Sequence, residues 1–178
     1  VSLMTSHGAI AEKILYRMLT TTTTRLRDTS ALLSDMVQWG ENARMRVITD
    51  QFTGLYNRRF FDDSIVVETK KSKASHLPLA MVMVDLDHFG SVNKDYNEAF
   101  GDAVLLAAAH VFKRSFRKTD ILSRYGGDEF SFLLPATDGT EALELCARAC
   151  AEVEALRFAE YPDFRITSSM GIAVMPDH

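Results

Sequence analysis

The sequence predicts an α+β domain of the split βαβ type, an antiparallel sheet with helices on one face, behind a long helical arm. Three observations predict it. From residue 50 onward the apolar residues switch between helical and strand periods in the order β-α-β-β-α-β, after one leading helix. Two short β-like runs flank Gly126-Gly127-Asp128, the pattern of a tight hairpin. Residues 1–48 contain no proline and carry a seven-residue repeat.

In the arm, Leu19, Leu26, Leu33 and Val47 share one heptad position, interrupted by Gly40, and Leu15, Thr22, Thr29, Met36 and Ala43 share the companion position. That spacing fits a narrow seam on a long helix. Forty helical residues reach roughly 60 Å at about 1.5 Å per residue. Five consecutive threonines, residues 20–24, lower the helix propensity, so partner packing is expected to compensate. A dimerising stalk and an amphipathic helix lying on its own domain both satisfy the pattern.

Asn57 is placed to cap the leading helix, which carries Phe60, Phe61 and Ile65 on one face. Residues 70–78 read as a loop. Residues 79–84 are continuously apolar, as in a strand buried on both faces. Val104, Leu105, Ala108, Val111 and Phe112 follow helical spacing. Residues 121–125 and 129–134 are the hairpin strands. Asp138 and Glu141 form a capping box for a helix carrying Leu143, Cys146, Ala147, Cys150 and Val153. Ile166, Ser168, Met170, Ile172 and Val174 alternate in a last strand.

Composition limits the function classes. The chain has 178 residues and a net charge of −4, from 20 Lys+Arg against 24 Asp+Glu. An acidic chain lacks the basic surface that sequence-independent nucleic-acid binding requires. No apolar run approaches the roughly 18–20 residues of a membrane span, so a cytoplasmic location is expected, although the parent protein stands open to membrane tethering. Cys146 and Cys150 lie four apart on one helical face and read as small buried residues of a reduced protein. His7, His76, His88, His110 and His178 show no metal-ligand spacing.

The carboxylates are more informative. The apolar strand ends in Asp85-Leu86-Asp87, and the hairpin tip brings Asp128 and Glu129. If the hairpin lies beside that strand, Asp85 and Asp128 converge. Converging carboxylates repel unless a cation sits between them, and hard oxygen ligands favour magnesium. Two divalent ions on a sheet rim suit nucleotidyl transfer. The competing reading is a set of acidic residues in a solvated turn.

Arg124-Tyr125-Gly126-Gly127-Asp128-Glu129-Phe130 resembles the signature of the GGDEF family, the diguanylate cyclases. Three other segments support the resemblance in the right order. Residues 50–59 resemble D-x-L-T-G-L-x-N-R-R, with Phe52 for the usual Leu. Asp85-Leu86-Asp87-His88-Phe89, Asn93 and Gly101-Asp102 resemble D-I-D-x-F-K-x-x-N-D followed by G-D. Ser169-Met170-Gly171-Ile172 resembles S-x-G-I. The resemblance covers residues 50–178 and implies the palm-like sheet of polymerases and nucleotide cyclases.

It also implies a reaction: two GTP condense to cyclic di-GMP and two pyrophosphates, with one GTP on each of two facing domains. By resemblance, Asp85, the Leu86 carbonyl, Asp128 and Glu129 hold two Mg²⁺ per half-site, with Mn²⁺ as the alternative ion, and Asp128 and Glu129 are catalytic. Asn93 and Asp102 read guanine. His88, Phe89 and Gly90 offer backbone N–H groups to the phosphates, and Gly126 and Gly127 allow a tight turn and close ligand approach. An ordinary Gly-Gly hairpin uses the same two glycines. Arg117 and Asp120 match an R-x-x-D product-inhibition site; read alone, they form a surface salt bridge. A homodimer through the N-terminal helix and an upstream sensor are the implied partners.

The sequence departs from the family pattern at Gly90, where Lys is usual, at Lys94, where Asp is usual, and at Asn97-Glu98, where Gly-His is usual. The family continues with a helix and a strand whose Lys and Arg hold phosphates. Residues 49–178 therefore read as a domain lacking that helix and strand, behind a stalk at 1–48, and this piece is expected to be weak or inactive. The alternative function is a degenerate domain that binds cyclic di-GMP or GTP without turnover. A third reading is an interaction protein built around the arm.

Overall fold

The computed structural model describes residues 8–175. Residues 1–7 of the expected arm, His7 among them, and residues 176–178, with His178, lie outside the described residues. The chain divides into two compact units between Val47 and Ile48.

The first unit contains one long helix, α1 (Gly8–Ile48). The hydroxyls of Thr20, Thr22, Thr23, Thr24 and Thr29 each donate to the carbonyl four residues earlier. Those bonds satisfy the hydroxyls inside the helix and let the threonine run remain helical. The heptad residues Leu19, Leu26 and Leu33 are each more than 60% exposed.

The second unit runs β1 (Tyr56–Asn57), α2 (Arg58–Ser75), β2 (Leu79–Leu86), α3 (Phe89–Asp95), α4 (Glu98–Ser115), β3 (Ile121–Gly126), β4 (Glu129–Pro135), α5 (Gly139–Glu154) and β5 (Ser168–Met175). The five strands form one sheet in the order β1-β3-β4-β2-β5. β1 pairs with β3 in parallel and all other pairs are antiparallel. This is the α+β split arrangement, with a short parallel edge strand added.

Three local expectations change. First, α2 continues through residues 70–75, and only residues 76–78 connect it to β2. Glu68 and Lys71 pair along it at 2.7 Å, and His76 ends it in a left-handed conformation.

Second, the helices do not share one face. Ala80, Val82, Val84 and Leu86 of β2 join Phe130, Phe132 and Leu134 of β4 under α4 and α5, in the main core. α2 packs against β3 and β4. Its buried Phe61 meets Tyr125 edge-on, and the buried Leu133 alternates away from the main core.

Third, β2 is not buried on both faces. Met83 is 38% exposed and Asp85 is also exposed. Cys146 is buried, Cys150 is half-buried, and both thiols are free.

Candidate functional site

The site grows from strand register. Asp85 stands directly opposite Glu129 of β4 on one side and Ser169 of β5 on the other. Directly opposed residues project from the same face, with Cβ atoms about 5 Å apart. Met83, Val84, Asp85, Glu129, Ser169, Met170 and Gly171 line an open depression of about 350 Å³. Asp128 precedes Glu129 at the hairpin tip, which turns through Gly127 at φ 57°. A register shift between Arg124 and Gly126 marks a bulge at the same place.

The Asp85 carboxyl senses its acidic neighbours. Burial pushes the Asp85 carboxyl above its ordinary value, and the charges of Asp128, Glu129 and Asp87 push it further in the same direction. A cation among them would reverse that cost. Among the described residues no three His, Cys, Asp or Glu side chains converge into a cage. Magnesium characteristically takes one or two protein carboxylates and completes its shell with water and substrate phosphates. The oxygen donors here fit an ion completed by a nucleotide.

Asp87 has a different place. Its carboxylate accepts from the hydroxyls of Thr167 at 2.6 Å and Ser169 at 2.7 Å, and these bonds hold it below the usual carboxylate range. It fastens the end of β2 to β5.

The residues matched to guanine reading lie around the α3–α4 corner. His88 precedes α3 with a positive φ of 59°, and Phe89 and Gly90 begin that short helix. Phe89 is buried; Gly90 is exposed, and a Cβ there would meet nothing within 4 Å. The Asn93 carboxamide lies against Gly101, in the space a Cβ at position 101 would need. Asp102 follows on the exposed side of α4. Asn97 caps α4 by accepting from the Phe100 N–H at 2.8 Å. Tyr96, Phe100, Phe158, Tyr161 and Phe164 pack edge-to-face behind this corner.

Arg117 and Asp120 form a turn before β3. The Arg117 N–H donates to Asp120 Oδ2 at 2.8 Å, and the Arg117 guanidinium pairs with Glu141. Two separate contacts stand where the alternative reading has an i,i+3 side-chain salt bridge. Glu141 also departs from the expected capping box. Its N–H donates to Asp138, while its carboxylate goes to Arg117. Asp120 is 6% exposed, and its Oδ1 is buried without a hydrogen-bond partner. Burial raises its pKa, against the lowering effect of the Arg117 N–H and charge. Six residue steps along β3 lead from Asp120 to Gly126, roughly 20 Å at about 3.3 Å per residue.

The sequence alone assigns no role to five residues that the structure ties together. Asp50 and Arg124 form an ion pair at 3.5 Å, and Arg124 Nε donates to the Gly127 carbonyl at 2.9 Å. Lys113 donates to the Thr53 carbonyl at 3.0 Å. Gly101 admits Asn93. Asp50, Thr53, Arg124 and Gly101 sat inside recognisable motifs, but nothing in the sequence paired them. Lys113 carried no signal.

Comparison with known proteins places this architecture. Residues 47–178 match the family profile described as "Diguanylate cyclase, GGDEF domain". Diguanylate cyclase TpbB of Pseudomonas aeruginosa is 31% identical over 160 residues, covering 85% of this chain and 37% of that protein. Diguanylate cyclase DgcP of P. aeruginosa is 33% identical over 133 residues, covering 74% of this chain and 20% of that protein. The chain thus spans about a third or less of the length of these curated relatives. The coiled coil and GGDEF domain of DgcB from Caulobacter crescentus, solved in complex with c-di-GMP, superposes with a TM-score of 0.75 at 25% identity, over 88% of this chain and 84% of that one. The GGDEF domain of TpbB gives a TM-score of 0.68 at 31% identity, over 73% and 77%.

Proposed function

The chain belongs to the GGDEF family, and from that membership we propose that its gene product is a diguanylate cyclase, condensing two GTP to cyclic di-GMP and two pyrophosphates. The observation that carries the reading is the register that sets Asp85 opposite Glu129 beside Asp128, with Asp85 raised by burial and by their charge.

Asp85, the Leu86 carbonyl, Asp128 and Glu129 would hold Mg²⁺ or Mn²⁺. Bound there, such ions lower the pKa of an attacking hydroxyl and neutralise charge on a departing pyrophosphate. Asp128 would accept the proton of the attacking 3′-hydroxyl. Asp102 accepts from guanine N1–H and N2–H₂, which adenine lacks, and Asn93 bonds the O6 and N7 edge. Backbone N–H groups at His88, Phe89 and Gly90 face the phosphates, and the Gly126-Gly127 turn lets the nucleotide come close. Arg117 and Asp120 form the inhibitory product site. Because each domain holds one GTP, two copies must face each other, and the exposed leucines of α1 supply the dimer seam. Residues 1–48 are then a stalk that relays input from an upstream sensor.

Incubation of the gene product with GTP and Mg²⁺ should yield cyclic di-GMP, and Asp128→Ala should abolish it. Gly90 favours a second reading, a module that binds cyclic di-GMP without turnover, because the position lacks the phosphate-neutralising lysine. On that reading GTP yields no product, while calorimetry shows cyclic di-GMP binding that Arg117→Ala removes.

A further inference from the structure

Two motif segments have no part in the reaction as described: the turn at residues 50–55, and Arg124. The structure joins them. The turn is internally rigid. Asp50 Oδ1 accepts from the Thr53 N–H at 2.8 Å and the Thr53 hydroxyl at 2.7 Å. The Asp50 N–H donates to Leu55 O, and the Gly54 N–H to Asp50 O, both at 2.8 Å. Lys113 Nζ, reaching from α4, donates to the Thr53 carbonyl at 3.0 Å and fixes the turn to the core helix.

Arg124 spans from this anchor to the hairpin tip. One edge of its guanidinium meets Asp50 Oδ1 at 3.5 Å, the Nε edge donates to the Gly127 carbonyl at 2.9 Å, and its face lies 5.2 Å from the centre of the Phe52 ring. Only a planar fork engages two edges and a face at once; a lysine ammonium is a single point. The side chains of Arg124 and Asp50 are 18% and 25% exposed, so the pair is more shielded than an ordinary surface bridge. Burial alone would raise the Asp50 carboxyl, but the Thr53 bonds and Arg124 hold it below its ordinary range.

The tip needs such an anchor. It is a Gly-Gly turn with Gly127 at positive φ, the softest backbone available, and a bulge interrupts the ladder beside it. Asp128 and Glu129 stand immediately after that turn. Phe52, the residue that departs from the family's usual leucine, is the one that covers the guanidinium face.

We propose that Arg124 is a positioning residue, tying the rigid turn at residues 50–55 to the Gly127 carbonyl and thereby fixing where Asp128 and Glu129 stand relative to Asp85. The kinetic consequence rests on the cyclase reading; the mechanical one does not.

The test uses Arg124→Lys, Asp50→Asn and the double variant of the full chain in its gene product. Each single variant should lower kcat about tenfold with little change in KM for GTP, and the double variant should be no worse than the poorer single one, because both act through one link. Amide hydrogen exchange, followed by mass spectrometry, supplies a readout free of turnover. Exchange across residues 126–129 should quicken in Asp50→Asn while residues 79–84 of β2 keep their protection. Unchanged exchange at the tip in both single variants overturns the inference, as does additive loss in the double variant. Quickened exchange at the tip in Asp50→Asn, together with a wild-type protein that makes no cyclic di-GMP, supports the inference and overturns the cyclase reading instead.

Discussion

The carboxamide of Asn93 occupies the space that a side chain at position 101 would need, so Gly101 is what lets α3 close onto α4. Glycine inside a helix normally costs about 1 kcal/mol relative to alanine. Here the sign reverses. Gly101→Ala must displace Asn93 or part the two helices, at about 1–3 kcal/mol. The variant should melt lower than wild type and bind GTP more weakly in calorimetry. A higher melting temperature with unchanged GTP affinity would contradict the contact.

Asp85 provides a pH dependence with a definite sign. Its folded pKa is raised, first by burial and then by Asp128, Glu129 and Asp87. Its contribution to stability is therefore complete below the ordinary carboxylate range and is lost as pH rises through the raised value. Magnesium favours the ionised form and opposes that loss. The Mg²⁺-induced rise in melting temperature should be absent in acid and should grow as pH passes above the ordinary carboxylate range. Asp85→Asn should remove the Mg²⁺ effect while leaving the metal-free protein as stable as wild type or more so. A Mg²⁺ shift independent of pH would sink this account.

Ala136 sits at φ 53°, in the left-handed region, just after β4. An L-residue with a Cβ pays about 1–2 kcal/mol there. Ala136→Gly relieves this strain but loosens the unfolded chain by about 0.4–1 kcal/mol. The net expectation is a melting temperature higher by about 2–4 °C, with GTP chemistry untouched. A lower melting temperature would show that the conformation is not strained.

Gly90 is exposed, has an ordinary φ and leaves open space around a new Cβ. Gly90→Lys should fold normally and should gain helix propensity in α3. On the proposed function it adds a cation beside the phosphates and should raise turnover, by up to about 10²-fold. Steady-state rates of the two proteins, compared at equal dimer content, check this; equal rates would remove the phosphate role from position 90.

Much of this was legible in the sequence, and the exceptions have physical reasons. The strand containing Asp85 and the hairpin containing Asp128 follow from period and turn chemistry, and their register follows from the buried alternation of Phe130, Phe132 and Leu134. The burial of β2 differs from expectation because Met81 and Met83 are apolar by composition, yet stand half-buried and exposed on the sheet. The extension of α2 was missed because Lys, Ser and Ala suit a loop and a solvated helix equally. Arg117 showed its charge but not its partner, since Glu141 lies on another element. The Asp50–Arg124 link was hidden for the same reason: local pattern does not report contacts between residues 74 positions apart.

Asp120 carries a separable test. Its buried Oδ1 lacks a partner, and burial raises its pKa. Asp120→Asn removes a buried charge and should leave stability unchanged or higher at neutral pH, while weakening cyclic di-GMP binding at Arg117. A lower melting temperature with cyclic di-GMP binding intact would reverse the assignment.

The central claim is that Asp85, Asp128 and Glu129 form the chemical centre of a diguanylate cyclase. Chromatography of the products after incubating the complete gene product with GTP and Mg²⁺ tests it most directly. The account predicts cyclic di-GMP and pyrophosphate, both absent in Asp128→Ala of unchanged melting temperature. A folded, dimeric wild-type protein that returns its GTP intact would contradict it.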